Sequence, residues 1–586
     1  MSSDMQDAFA TRKQVEDEIA MHTQAIIDLR GRLNTMTSIA RLPPELFSEV
    51  FLHVVRDSYA DMSSNYPAYD AARFYTWIKV SHVCRSWRAV ALGTPRLWGH
   101  ILLTKRPVVE NILARSKKAP LLVRVHIMSP TDERAHLLEN VLQDFSRLQE
   151  LRVSGPARLL QELCPKITGS ASKLETLVLA DNALYGQTYA QTVGDTALPP
   201  TLLEGQLPLL RSLEIRRLVF NWRNPVLSST LTHLALTGRL DSQSMLGSFD
   251  QLLATLETMA RLEFLEIEDA IPRLPAETVT LPTPGRKVAL PRLRRIALTG
   301  QCLDCANLAQ HLSLSPATRA VLVGRGSNSS RELIRIAGEL VARHKPLLTA
   351  RISSTYNAQL HLRGWRTVVD PNAAPEPCIE LRIDALSYPT LASHLVHDTK
   401  VLAQVRTLEI ASQYADWRWK VVFAGMPKLR TLSMSYDPGE EFLTALSKVF
   451  RGKKGRPPSM ILPDLRVVKF AQTRMCSVDY EKDEEGLDFL DRLEDWLIMR
   501  CNYNLPIDEL RLAACTNFTE DDMDRLVGLV PKLDWDGMVE FDSDGEGDED
   551  EDDEDEYDDP YFDDLVDYDY DYDFDGGYDG GYFGFY

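Results

Sequence analysis

Cysteine is scarce in this sequence, with eight residues among 586. So few and so scattered cysteines exclude the disulfide framework that stabilises small secreted domains. No apolar run approaches the roughly 18 residues that a membrane-spanning helix needs. The first residues, from Met1, also lack the basic and then apolar layout of a secretory signal. We therefore expect a protein of the cytoplasm, the nucleus or both, with no membrane partner.

Signatures of catalysis and of metal binding are also missing. The sequence has no phosphate-binding GxxxxGK[ST] loop, no GxSxG nucleophile elbow and no HExxH metal helix. Its one CxxC pair, Cys302 and Cys305, is followed by His311, whereas a structural zinc site usually combines two such pairs. A reduced, partly buried cysteine pair is the better interpretation. We expect no enzyme, no metal and no cofactor.

Lysine and arginine are absent from the last part of the chain. The residues from Leu533 to Tyr586 contain 25 of the 85 acidic residues and no base, which leaves 60 acids against 65 bases in the body. The net charge of −20 therefore belongs to the tail, and nucleic acid is not an expected partner. Because such charge density opposes collapse, residues 536–586 are predicted to be a disordered acidic tail, which either keeps the protein soluble or binds basic proteins. The basic stretch 451–456 is a solvated loop, an intramolecular partner or a nuclear-import patch.

Residues 1–38 are predicted to form an amphipathic helix. Within the segment 15–36, one row of mostly apolar residues recurs with the alternating spacing of four and three residues that is typical of the core positions of a coiled coil. We call this row the seam. Its residues are Val15, Ile19, His22, Ile26, Leu29, Leu33 and Met36. Three heptads are marginal for a coiled coil, and both His22 and Gly31 weaken it. Two interpretations stay open: the helix packs on its own protein, or it supports weak self-association through residues 15–36.

Two apolar helices are predicted between residues 39 and 104. The first follows a proline pair and carries Leu46, Val50 and Val54 at helical spacing, with Phe47 and Phe51 beside them. A polar stretch of roughly 20 residues, from Arg56 to about Arg73, is predicted to be a loop. The second helix spans 77–92 and ends at the Gly-Thr-Pro sequence that follows.

The order of these motifs resembles the F-box. Leu42-Pro-Pro-Glu-Leu46 with its apolar helix, and then Val80-x-x-Val-Cys-Arg-x-Trp-Arg88, are similar to the two halves of that family's pattern. The trailing Ala-Leu-Gly-Thr-Pro-Arg-Leu-Trp98 resembles the F-box-like form common in mushroom-forming fungi. This sequence departs from the family in the loop between the helices, which is longer than the usual short polar turn.

The resemblance implies a three-helix module that docks on the Skp-class adaptor of a cullin-type (SCF) ubiquitin ligase. The positions that match the family's motifs would contact this adaptor in two clusters. The first cluster is Leu42, Pro43 and Leu46, and the second is Val83, Cys84 and Trp87. A small helical module cannot bury all the large apolar side chains of these two helices, so some of them should remain exposed for a partner. The alternative is that both helices pack onto the domain that follows.

Residues 105–535 contain an irregular repeat. An LxxLxL pattern recurs, and each copy is one short strand whose alternate side chains point into a core. The copies start at Leu148, Leu174, Leu210, Leu231, Leu262, Leu293, Val405, Leu429, Leu465 and Ile507, with weaker ones at Val321 and Ile379. Helical stretches such as 250–259 lie between them, and the asparagine that usually follows the motif is clear only at Asn182. The pattern predicts a degenerate leucine-rich-repeat array, an α/β solenoid of parallel strands with helices on the other side.

The sequence thus predicts a mixed α+β and α/β architecture in four parts: helix 1–38, F-box-like module 39–104, repeat array 105–535 and acidic tail 536–586. Two functional hypotheses follow. The chain is a substrate-recognition adaptor whose F-box docks on the Skp-class subunit while the repeats bind a client protein. Alternatively, it is a ligase-independent scaffold that uses the repeats and the acidic tail to bind basic proteins.

Overall fold

Helices make up most of the first hundred residues in the structure, which is a computed structural model of the chain. The structure describes residues 2–60, 71–129, 131–164, 172–181, 198, 207–239, 243–326, 330–343, 345–355, 359–369, 375–384, 394–395, 399–412, 418–439, 441–450, 459–476 and 488–541. Asn182, the basic stretch 451–456 and the tail from Asp542 lie outside these residues. The compact unit that contains the described residues ends at Phe541.

Fourteen α-helices occur among the described residues. They are α1 Ser2–Thr35, α2 Pro44–Ala60, α3 Ala71–Phe74, α4 Arg85–Gly93, α5 Arg106–Ser116, α6 Glu133–Leu142, α7 Ala157–Leu163, α8 Phe249–Thr258, α9 Cys302–His311, α10 Ser330–Ala342, α11 Trp419–Ala424, α12 Glu441–Leu446, α13 Phe489–Asn502 and α14 Glu520–Val527. Short 3-10 helices occupy Ser38–Arg41, Tyr75–His82, Leu97–Gly99, Phe145–Arg147 and Gln243–Met245. The helix predicted at 250–259 is confirmed as α8, and a side chain caps it, because Ser248 accepts from the amide of Gln251.

Strands alternate with helices among the described residues after position 100. They are β1 His100–Leu102, β2 Leu121–His126, β3 Leu148–Gly155, β4 Thr176–Asp181, β5 Ser212–Arg216, β6 His233–Thr237, β7 Phe264–Glu268, β8 Val288–Leu290, β9 Arg295–Gln301, β10 Leu312–Leu314, β11 Arg319–Arg325, β12 Thr349–Thr355, β13 Gln359–Trp365, β14 Ile379–Asp384, β15 Thr407–Ala411, β16 Thr431–Ser435, β17 Val449–Phe450, β18 Ser459–Met460, β19 Val467–Ala471, β20 Glu509–Ala513 and β21 Lys532–Trp535. Every one of the twelve LxxLxL copies contributes one of these strands.

Seventeen strands form one sheet. Its order is β1-β2-β3-β4-β5-β6-β7-β9-β11-β14-β13-β12-β15-β16-β19-β20-β21, and every neighbouring pair is parallel except the two that involve β13. The chain is therefore a set of N-terminal helices followed by a large, mostly parallel sheet with helices. The antiparallel β13 departs from the prediction of a uniformly parallel array.

The motif leucines stand in register across the sheet. Leu177 pairs with Leu213, which pairs with Leu234 and then Leu265, and all four are buried. Because side chains alternate along a strand, the residues between the motif leucines point to the opposite face. One buried cluster runs from Phe47 near the start of α2 to Val530, so the helical module and the sheet share a core.

Two predictions for the first hundred residues are wrong. The loop predicted from Arg56 begins later, because α2 continues to Ala60, and its last residues belong to α3. The helix predicted at 77–92 is two helices, because Cys84 has extended backbone angles (φ −158°, ψ 169°) that separate the 3-10 helix from α4. Two residues of the predicted tail are hydrogen-bonded to the segment after β20: the Asp536 carboxylate accepts from the Ala514 backbone amide at 2.6 Å, and the Glu540 carbonyl accepts from the Asn517 backbone amide at 2.8 Å.

Candidate functional site

Helix α2 carries two apolar rows of side chains, one buried and one exposed. Phe47, Phe51 and Val55 are buried against the rest of the module. One position earlier in each turn, Leu46, Val50 and Val54 are exposed by 51%, 48% and 38%. Since residues four apart share a helix face, the two sets form adjacent parallel rows. The second row is an apolar ridge that nothing in the described part of the chain covers, and we call Leu46, Val50 and Val54 the α2 ridge.

The residues before α2 extend this apolar surface. Leu42 is 37% exposed and Pro43 is exposed. A residue that precedes proline avoids helical backbone angles, and Leu42 is extended accordingly (φ −70°, ψ 139°). Pro44 then begins α2 in the first helical position, where no amide hydrogen is needed. The first predicted cluster, Leu42, Pro43 and Leu46, thus lies at the exposed start of α2.

The second predicted cluster has a different character in the structure. The Trp87 ring lies 5.4 Å from the Phe47 ring and 5.2 Å from the Phe51 ring, centroid to centroid, so it joins α4 to α2 and is half-buried. Cys84 caps α4, because its Sγ accepts from the Trp87 amide at 3.5 Å. Val83 alone of the three is widely exposed, by 58%. The cluster therefore combines one exposed side chain with a helix cap and an interhelical contact.

One alternative is that both helices only pack onto the domain that follows. This interpretation explains the buried aromatic residues but not the exposed apolar ones. Phe47 and Trp87 do belong to the shared core or its edge, as does Trp98, whose indole donates to the Ala91 carbonyl at 2.9 Å. The α2 ridge and Val83 do not, because all four side chains are exposed. An exposed apolar row such as the α2 ridge is typical of interaction sites.

The family of this module follows from a comparison with protein-family models. The F-box-like family model matches residues 39–104. Residues 39–104 are an F-box-like domain. No curated protein shows significant similarity to the chain. F-box families are typically non-enzymatic adaptors, and an F-box domain implies binding to a Skp-type subunit. The predicted resemblance to the F-box is thereby confirmed.

Sequence reasoning named Leu46 as a contact residue of this F-box-like domain but left Val50 and Val54 as members of a stripe. The exposed fractions of the three residues are similar, so the ridge is the structural unit rather than its first member. The signal was present in the sequence as two apolar rows, each with a spacing of four residues. Periodicity alone does not say which of two adjacent rows faces the core.

A second candidate site lies on the face of the sheet opposite the motif leucines. Across β5, β6 and β7, the outward residues in one row are Glu214, Ala235 and Glu266. In the row beside it, His233 stacks on Phe264, with ring centroids 4.4 Å apart and an interplanar angle of 14°. These residues line a cleft of about 240 Å³, which we call the sheet-face cleft.

The two carboxylates of the sheet-face cleft differ in whether they form an ion pair. Glu214 is bonded to Arg216 on its own strand, whereas Glu266 is exposed and makes no ion pair within the described residues. Partial burial lowers the pKa of His233, so its ring is neutral at physiological pH. Arg295, also exposed, follows Phe264 in the same row. The cleft thus has an aromatic wall, a floor of small side chains and two carboxylates about two strand spacings, or ~9.6 Å, apart.

The cysteine pair takes part in the fold of α9. The Cys302 thiol donates to the Gly326 carbonyl and the Cys305 thiol lies 3.9 Å from the Val323 carbonyl. Burial raises the pKa of Cys302 to about 12, so its thiolate is disfavoured. The His311 ring is bonded to the Asn307 carbonyl of the same helix at 2.7 Å. Within the described ranges, no group of three metal-ligating side chains occurs, and no helix is both long and apolar enough for a bilayer crossing.

Proposed function

We propose that this chain is a substrate-recognition adaptor of a cullin-type (SCF) ubiquitin ligase. The observation that carries the proposal is the α2 ridge, an uncovered apolar row inside an F-box-like domain. Residues Leu42, Pro43 and Leu46, together with Val83, would contact the Skp-class subunit directly. Cys84 and Trp87 would act by holding α4 against α2. The chain itself needs no catalytic group, because an adaptor accelerates modification by raising the effective concentration of client and enzyme.

We further propose that residues 105–535 are a degenerate leucine-rich-repeat solenoid that binds the client. The repeated strand register, the buried motif leucines and the helices between strands support this interpretation. The acidic tail would be a solubilising segment or a secondary site for basic proteins. An adaptor of this kind would work in the cytoplasm or the nucleus.

The sheet-face cleft suggests which client chemistry the repeats recognise. A lysine or arginine side chain placed over Ala235 would lie between the carboxylates of Glu214 and Glu266. Its cation would also face the stacked rings of His233 and Phe264, an arrangement that favours a positive charge. We propose that the client presents a basic residue to this cleft.

Docking on the Skp-class subunit is tested by truncating the ridge. Replacing both Leu46 and Val50 with alanine should remove two anchors at little cost in folding, because both side chains are about half exposed. Truncating an interface anchor typically costs about 2 kcal/mol, so two together lower affinity roughly a thousandfold. The measurement is the affinity of the purified chain for a recombinant Skp-class subunit, by titration calorimetry.

The matched control is Val527→Ala at the end of α14. Val527 is 52% exposed, close to the value for Val50, but it lies outside the F-box-like domain. The control should bind the Skp-class subunit as the unchanged chain does. An unchanged affinity of Leu46→Ala/Val50→Ala, in a variant with a native circular dichroism spectrum, would remove the support for the adaptor hypothesis and favour the ligase-independent scaffold.

The client proposal is tested separately, with the F-box-like domain left intact. Proteins captured by the full chain should be lost when Glu214 and Glu266 are both replaced by glutamine, and retained when Arg295 is replaced by glutamine. The captured clients should also share an accessible basic segment. If the glutamine pair retains every client while the Skp-class subunit stays bound, the cleft is not the client site, although the adaptor role stands.

A further inference from the structure

The seam of helix α1 is open to solvent. All the apolar seam positions between Val15 and Met36 are exposed, with values from 49% at Val15 to 77% at Met36. This row of six large apolar side chains, five on α1 and Met36 directly after it, is costly to leave in water. The interpretation that α1 packs its seam on its own protein is therefore not supported by the described residues. Within the part of the chain that the structure describes, no element covers these side chains.

Contact with the F-box-like domain leaves the seam free. Asp28 of α1 lies 3.6 Å from Arg85 of α4. In the heptad that places Ile26 and Leu29 on the seam, Asp28 lies on the far side of the helix. The side of α1 that meets the domain is thus not the side that carries the apolar row.

The charges beside the seam distinguish the two ways of pairing two copies. The flanking positions are acidic in the first half of the seam, with Glu16 and Glu18, and basic in the second half, with Arg30 and Arg32. In a parallel pair, Glu18 would face Thr23 of the second copy, and Arg30 would face an alanine, so no opposite charges meet. In an antiparallel pair, the acidic half of each helix lies along the basic half of the other.

The antiparallel register also matches the apolar side chains. When Ile19 of one copy lies opposite Leu29 of the other, Val15 lies opposite Leu33. Each His22 then lies opposite Ile26, near the centre of the pair. A single polar seam position of this kind weakens a coiled coil but fixes its register. In the same register Glu16 faces Arg30, and the whole pattern repeats by two-fold symmetry.

We propose that two copies of this chain associate through α1 as an antiparallel helix pair, with Glu16 and Glu18 of each copy facing Arg30 and Arg32 of the other. This pairing is independent of the proposed ligase function. It has a consequence for the F-box-like domains, which follow α1 directly. The Met36 positions of the two copies would lie about 36 Å apart along the pair, because 24 residues of helix rise 1.5 Å each.

Two F-box-like domains held at this separation would give an adaptor with two docking surfaces and two client faces. A client with two recognition segments would then bind both copies, and the second contact would form at a high effective concentration. The dimer is thus a device for bivalent capture, built from a segment that the F-box-like domain itself does not use.

The test is the molar mass of the full chain in solution, measured by sedimentation equilibrium over a range of concentrations. The unchanged chain has a mass of 66.3 kDa as a monomer and should sediment at about twice that mass as its concentration rises. Replacing Glu16 and Glu18 with arginine should weaken the dimer by about tenfold or more, since four attractive contacts become repulsive. Higher salt should weaken the unchanged dimer, because the flanking charges are exposed.

The orientation has its own control. The fourfold variant Glu16→Arg, Glu18→Arg, Arg30→Glu and Arg32→Glu reverses every flanking charge and should restore the dimer to about the original affinity. Mixing the variant with only the first two changes and the variant with only the last two should give a mixed dimer.

Two results would overturn the proposal. One is a full chain that stays monomeric at concentrations of roughly 100 μM, well above the dissociation constants of ordinary homodimers. The other is a variant with arginine at positions 16 and 18 that keeps the unchanged affinity, because the antiparallel pair places these positions against arginines of the other copy. Circular dichroism of each variant verifies that α1 is still helical.

Discussion

His100 makes the stability of the junction between the F-box-like domain and the sheet depend on pH. It is the first residue of β1, is 5% exposed, and lies edge-on to the Tyr59 ring at 5.4 Å between centroids. Burial lowers its pKa from the ordinary 6.5 to about 4. The folded chain therefore holds this ring neutral at pH values at which the unfolded chain protonates it.

The sign and size of the effect follow from this difference. Between pH 6.5 and 4 the unfolded state binds the proton more tightly, so stability falls as the pH is lowered. Above pH 6.5 the contribution is fully present. From pH 7.5 to pH 5, the linkage relation gives a loss of about 2 kcal/mol from this one group.

The perturbation is His100→Leu, which removes the titrating group. The assay is urea unfolding at pH 7.5 and pH 5, followed by tryptophan fluorescence, because Trp77 and Trp98 lie in the same junction. We expect the free energy of unfolding to fall by about 2 kcal/mol more in the unchanged chain than in the variant. All other histidines are common to both proteins, so their contributions cancel. Equal losses in the two proteins would show that His100 titrates near its ordinary pKa and that the junction is open to water.

Two further predictions concern packing and thiol reactivity. Gly238→Ala should destabilise the chain by about 1–3 kcal/mol or more in thermal unfolding, because its Cβ would meet the Asp269 carbonyl oxygen at 2.2 Å. Gly285→Ala, which has nothing within 4 Å, is the matched control, and a similar loss there would contradict this reasoning. Cys501, which is exposed, should be alkylated in the native protein well before the buried Cys302, as measured by peptide mass spectrometry. Early labelling of Cys302 would mean that α9 opens readily.

The strands of the sheet could be predicted from sequence wherever the motif leucines precede them. Each copy from Leu148 to Ile507 marks a strand. Alternate side chains of a strand face the core, so the spacing of the motif leucines in the sequence predicts the strand. β13 could not be predicted in this way. This strand runs antiparallel to both β12 and β14. It is therefore not a unit of the parallel repeat, and no LxxLxL motif precedes it in the sequence.

The candidate site was predicted less completely than the fold. Sequence reasoning found the residues at the start of α2, but it gave Cys84 and Trp87 the same role as Val83. The structure separates them because Trp87 finds two aromatic partners on α2, which are distant from it in sequence. Tertiary partners of this kind decide which side chains are available for binding, and a single sequence does not contain them. The contact roles themselves stay predictions.

The junction determines what the proposed adaptor can position. Near the end of α2 the Tyr59 hydroxyl donates to Glu150 of β3 at 2.9 Å, and its carbonyl accepts from the Arg124 guanidinium of β2 at 2.7 Å. Strand β1, within the F-box-like domain, pairs directly with β2. The α2 ridge is therefore attached to the sheet by a helix and a strand rather than by a flexible linker. An adaptor gains most when the two ends that it joins are held in fixed orientation, because a loose linker dilutes the effective concentration. A client bound on the sheet would thus be presented to the ligase in an orientation that the fold itself sets.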